Sequence, residues 1–83
     1  MNRKVKPYTI WKHFKGFTVF VLAVAKHSET NEELVIYYCY NDNEDIKHND
    51  GIYARPINMF LSEVDHNKYP NIKQKYRFEE IIK

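Results

Sequence analysis

Two apolar runs, Phe17 to Ala25 and Leu34 to Tyr40, stand on either side of the polar link Lys26-His27-Ser28-Glu29-Thr30-Asn31-Glu32-Glu33. Val, Ile, Phe and Tyr dominate both runs, and such side chains suit a pleated, packed surface. An amphipathic helix of the same length would carry polar gaps once per turn, and these runs hold a single such residue, Thr18. The link offers the hydroxyls of Ser28 and Thr30 for local backbone bonds, and its acids keep the tip in water. The expectation is a buried β-hairpin. In the first run apolar residues occupy both parities, with Phe17, Val19, Val21, Ala23 and Ala25 on one and Phe20, Leu22 and Val24 on the other. That pattern belongs to a strand covered on both faces or bent round a small barrel.

The remaining segments supply the partners. Residues 1–7 read as a basic arm, with order beginning near Tyr8, and residues 8–83 as one domain. Tyr8 to Phe14 is a short extended piece with large side chains on both faces, and Lys15-Gly16 supplies a turn that glycine's conformational freedom permits. Asn41 to Asn49 is a polar, acidic loop, expected to be mobile. After Asp50-Gly51 comes a short strand, Ile52 to Arg55, ended by Pro56. Ile57, Phe60, Leu61 and Val64 then follow helical spacing for about two turns, with Met59 off the stripe, over a barrel mouth or facing a partner. A long connection through Pro70 leads to a closing strand over Tyr76 to Ile82. The fold class is mainly β: about five antiparallel strands with one short helix.

At 83 residues the chain forms a single small core, with little room for an elaborate catalytic cavity. Its 43% hydrophobic and 29% charged residues place it among globular rather than disordered chains. No stretch has the length and apolarity of a membrane span, and Met1 to Lys15 lacks the apolar core of a secretory signal, so the expectation is a cytoplasmic protein without a membrane partner. The single cysteine, Cys39, lies inside an apolar run and reads as a buried thiol. The net charge of +2 conceals segregation. Residues 1–28 hold six basic residues and no acid, whereas residues 29–50 hold seven acids and Lys47. Folding can set these blocks side by side. The alternative is a basic N-terminal segment that binds nucleic acid, with Tyr8 and Trp11 stacking on bases.

Several short motifs occur in one order: His13-Phe14-Lys15-Gly16, Ala25-Lys26-His27-Ser28-Glu29-Thr30, Glu32-Glu33-Leu34-Val35-Ile36-Tyr37, Ile52-Tyr53-Ala54-Arg55-Pro56 with Met59-Phe60, and Arg77-Phe78. Together they resemble a family of small bacterial proteins known as domain of unknown function 1653, from Tyr8 to Ile82. The resemblance implies an SH3-like β-barrel or roll with the helix after Pro56 at one end, and it implies no mechanism. Tyr53 stands where members often carry Trp, and the loop from Asn41 to Asp50 is longer and more acidic than the family's usual link.

No catalytic constellation is apparent. His13, His27, His48 and His66 fit no metal-ligand spacing, so neither a metal nor another cofactor is expected. His27-Ser28-Glu29-Thr30 holds a base, a hydroxyl and a carboxylate, but neighbours on a turn diverge and read as local hydrogen-bonding groups. Arg55 reads first as an ion-pair partner of Glu29 or Glu33, and second as a contact for an anionic ligand. Aromatic residues make up 16% of the chain and serve packing first, then a binding face. The candidate binding residues are Trp11, His13, His27, Glu29, Tyr37, Tyr53, Arg55 and Met59. The resulting expectation is a non-catalytic module for a protein or peptide ligand, monomeric or weakly dimeric. The alternatives are nucleic-acid binding and a small enzyme pairing His13 or His27 with a carboxylate.

Overall fold

The two apolar runs pair as antiparallel neighbours. In the computed structural model, which describes residues 3–41 and 51–81, they form β2 (Thr18–Lys26) and β3 (Glu33–Asn41). Lys26 lies opposite Glu33 where the strands part. Asn31 closes the link with a φ of 66°, a conformation that asparagine tolerates better than most residues, and its amide donates to the His27 carbonyl at 2.9 Å. β1 (Ile10–His13) pairs with the other side of β2, β4 (Ile52–Pro56) with β3, and β5 (Phe78–Glu80) with β1. The strand order is β4-β3-β2-β1-β5 in one antiparallel sheet, with the one-turn helix α1 (Ile57–Phe60) between β4 and β5. The fold is mainly β and fits a small barrel or roll. The acidic loop after β3, including His48, lies outside the described residues.

Both parities of β2 are apolar for a reason that the register supplies. Val19 faces Cys39 and Val21 faces Tyr37, but after an irregularity at Leu22 it is Val24 that faces Val35. One extra residue moves the inward position from odd to even numbers, as a β-bulge does, and it bends the strand. The inner face thus carries Trp11 and His13 from β1, Val19 and Val21 from β2, Val35, Tyr37 and Cys39 from β3, and Phe78 from β5. Curling brings the edges of the sheet toward each other: the Arg55 guanidinium on β4 lies 5.7 Å from the Phe78 ring centre on β5.

Phe60 caps this core. Its ring stacks on Phe78 at 4.1 Å and meets the Trp11 edge at 5.2 Å. The apolar stripe predicts two helical turns, but the helix ends after one. Ser62 turns its hydroxyl back to the Met59 carbonyl at 2.7 Å, and Val64 leaves the helix to bond the Lys75 carbonyl at 2.8 Å. An isolated bridge between Glu63 and Tyr76 completes the exchange of helical for sheet-like bonds. Val64 is still buried, so its apolar character served the core by another route.

Order also begins earlier than the composition suggests. Val5 belongs to the core, and the Arg3 guanidinium donates to the Phe78 and Leu61 carbonyls at 2.8 Å each while lying 3.6 Å from the Tyr76 ring centre. Burial pushes the Arg3 guanidinium below its ordinary pKa, with Tyr76 and Glu79 acting in the opposite sense. From Arg3 onward the basic segment is partly built into the protein.

Candidate ligand-binding site

Where β1, β3 and β4 end near the long connection, the inner face opens into a cavity of about 550 Å³. Alternation along β4 sets Tyr53 and Arg55 on the inner side, opposite Tyr37 and Val35. His13 and Phe14 come from the end of β1, Lys15 from the tight turn that follows, and Asp65, Lys68, Tyr69 and Arg77 from the connection to β5. Aromatic rings form much of the wall, with Phe14 and Tyr69 5.0 Å apart and Tyr37 and Tyr53 6.0 Å apart.

Arg55 and Arg77 are held alike. The Arg55 Nε–H donates to the Tyr37 hydroxyl at 3.2 Å, and the Arg77 Nε–H donates to the Ser62 hydroxyl at 3.2 Å. Ser62 passes the chain on to the Met59 carbonyl, so α1 helps to place Arg77. The Arg77 backbone is fixed as well, its amide bonded to the Ser62 carbonyl and its carbonyl accepting from the Phe14 amide. Neither guanidinium forms an ion pair among the described residues. The expected pairing of Arg55 with Glu29 or Glu33 does not form. Those acids sit at the exposed hairpin tip, while the register sets Arg55 opposite Val35 and within reach of Tyr37.

His13 is buried at 5% exposure, between Phe14 and Phe17 at ring distances of 4.5 and 4.4 Å. The Lys15 amide donates to its Nδ1 at 3.1 Å, which in the neutral ring leaves the proton on Nε2. Asp65 is the acidic residue among those lining the cavity, and its Oδ1 accepts from the Asn67 and Lys68 amides. It thereby shapes the turn that presents Lys68 and Tyr69. The cationic side chains Lys15, Arg55, Lys68 and Arg77 outnumber it, so the described lining contributes net positive charge.

The other candidates lie elsewhere. Trp11 is 1% exposed, with its Nε1–H donated to the Thr9 hydroxyl at 2.9 Å, and it is a core residue that touches a second, smaller hollow beside Arg3 and Tyr76. His27 and Glu29 sit at the exposed tip of the β2–β3 hairpin, where His27 Nδ1 accepts from the Glu29 and Thr30 amides. Met59 is 47% exposed on α1. The structure therefore brings together His13, Tyr37, Tyr53 and Arg55, and leaves Trp11, His27, Glu29 and Met59 outside the cavity.

The family described as "protein of unknown function (DUF1653)" matches residues 9–80. The chain belongs to this family. No curated protein and no solved structure matches the chain. The matched span includes every residue lining the cavity, from His13 to Arg77, so the cavity is built within the family's own domain.

Sequence reasoning did not single out Phe14, Lys68, Tyr69 or Arg77 as binding residues, and it placed Lys15 only within the basic Arg3 to Lys15 segment of the nucleic-acid alternative. Phe14-Lys15 and Arg77 lie within the ordered motifs, but Lys68 and Tyr69 sit in a polar connection with no periodicity to place them. Among the described residues no group of three His, Cys, Asp or Glu side chains converges to hold a metal ion, and no helix is long and apolar enough to cross a membrane.

Proposed function

We propose that the protein is a non-catalytic binding module whose recognition site is the cavity of Arg55 and Arg77. One observation carries this reading: two partly buried guanidinium groups line an aromatic cavity, and no carboxylate among the described residues neutralises them. Charge withdrawn from water costs free energy unless it finds an opposite charge, and a bound anion supplies one. The volume falls in the range typical of small-molecule sites, so a compact ligand suits it better than the extended peptide that a shallow groove would take.

The test is a fragment screen followed by amide chemical shifts, using neutral, cationic and anionic compounds. Binders should move the amides of Lys15, Arg55, Tyr69 and Arg77 as a group. Shifts scattered over the surface, or no binder at the cavity, would remove the reading.

A second reading has one observation in its favour. His13 and Asp65 line the same cavity, as an acid–base enzyme would require. Against it, Asp65 already accepts two backbone amides and His13 Nδ1 is taken by the Lys15 amide. Turnover of activated esters or phosphate esters that disappears in a folded His13→Asn variant would favour the enzyme. The nucleic-acid alternative loses two of its parts, because Trp11 is buried and Arg3 is committed to main-chain carbonyls.

A further inference from the structure

The charges in the cavity constrain its ligand further. Resting on the proposed cavity reading, we infer that the site takes a phosphomonoester carried on a flat ring, with Arg55 and Arg77 clamping the phosphate. Each guanidinium is anchored through Nε by a neutral hydroxyl, from Tyr37 for one and Ser62 for the other. That mode of anchoring fixes the plane of the group and leaves its two terminal nitrogens as donors, the edge that matches a phosphate bidentately. A hydroxyl partner also leaves the positive charge uncompensated, whereas a carboxylate partner would offset it. The same device on two separate segments, β4 and the approach to β5, points to a ligand rather than to a stability role.

Charge count selects phosphate over carboxylate. Among the described residues lining the cavity, Arg55, Arg77, Lys15 and Lys68 face one acid, Asp65, whose Oδ1 is engaged with two amides. A phosphomonoester carries about −1.5 to −2 at neutral pH with three acceptor oxygens, whereas a carboxylate carries a single charge. The ring requirement comes from the wall. Phe14 is backed by the His13 ring, and the Lys15 and Lys68 ammonium groups lie 5.7 and 5.6 Å from the Tyr69 ring centre, so the aromatic wall runs directly into the cationic end and a flat ring gains apolar contact along it that an inorganic ion does not. A ribonucleotide base and the ring of an aryl phosphate share this chemistry.

The experiment titrates the protein at low ionic strength with adenosine 5′-monophosphate, phenyl phosphate, adenosine and inorganic phosphate, followed by calorimetry and amide shifts. Both ring phosphates, or one of the two, should bind at least tenfold more tightly than adenosine and than inorganic phosphate, with shifts at Lys15, Arg55, Tyr69 and Arg77. The one that binds more tightly names the source. Arg55→Gln and Arg77→Gln should each weaken that binding at least tenfold, the size expected for losing a charge-assisted contact. Should either variant melt much earlier than wild type, Lys15→Gln and Lys68→Gln replace it, because both side chains are exposed, and each should weaken binding and flatten its salt dependence.

Adenosine binding as tightly as its monophosphate, inorganic phosphate binding as tightly as the ring phosphates, unchanged affinity in folded arginine variants, or no binding of any probe would each overturn the inference. Neutral fragments seated in the cavity alongside silent phosphates would sink the phosphate assignment and leave the cavity reading standing. An empty fragment screen would remove both.

Discussion

Trp11, a candidate binding residue in the sequence, lies in the core. It is the only tryptophan, and an aromatic count alone suggests a binding face. In the structure it packs edge-on to Phe60 and satisfies its one donor with Thr9. Trp11→Ala should cost about 3–5 kcal/mol of stability in denaturant unfolding, the range for emptying an aromatic core position. A loss below about 1 kcal/mol would show that the core does not close on it. Thr18 presents the opposite case. Its hydroxyl is buried without a hydrogen-bond partner among the described residues, at a register irregularity of β2. Thr18→Val exchanges that oxygen for a methyl group of the same shape, so stability should be unchanged or rise by about 1 kcal/mol. Clear destabilisation of that variant would mean that the hydroxyl has a role in the fold.

Turns and strand ends were the features that residue types predicted best. Gly16 lies in the tight turn between β1 and β2 with a φ of 105°, where a side chain is strained even though an added Cβ would meet no neighbour within 4 Å. Gly16→Ala should therefore destabilise by about 1–3 kcal/mol through backbone conformation alone. Gly51, with open space and no such φ, is the control, and Gly51→Ala should stay within about 0.5 kcal/mol. Equal melting temperatures for the two variants would refute the distinction. The helix was less legible. Ile57, Phe60, Leu61 and Val64 have the spacing of two turns, yet the second turn is lost to Ser62 and to the bridge between Glu63 and Tyr76. Periodicity records which residues are buried. Phe60 and Val64 are both buried, and the local pattern carries no sign that a distant segment supplies the hydrogen bonds.

The sheet, the helix and the N-terminal segment share one core, since Val5, Trp11, Val21, Tyr37, Phe60 and Phe78 belong to a single cluster. Unfolding should accordingly be two-state. Trp11 fluorescence and far-ultraviolet circular dichroism should give coincident denaturant transitions, and separated midpoints would show that the Phe60 cap detaches from the sheet before it melts. The amino-acid order alone determined the strands, the hairpin and the mainly β class, because those rest on local periodicity and turn chemistry that neighbouring residues carry. Only tertiary structure decided that the β2 bulge reverses the inward parity, that Arg3 and Val5 join the body, and that Arg55 meets Tyr37 instead of an acid. It also gathered Lys15, Lys68, Tyr69 and Arg77 around Arg55. These are encounters between segments tens of residues apart, set by sheet curvature and register, and no local pattern encodes which distant side chains will share one wall.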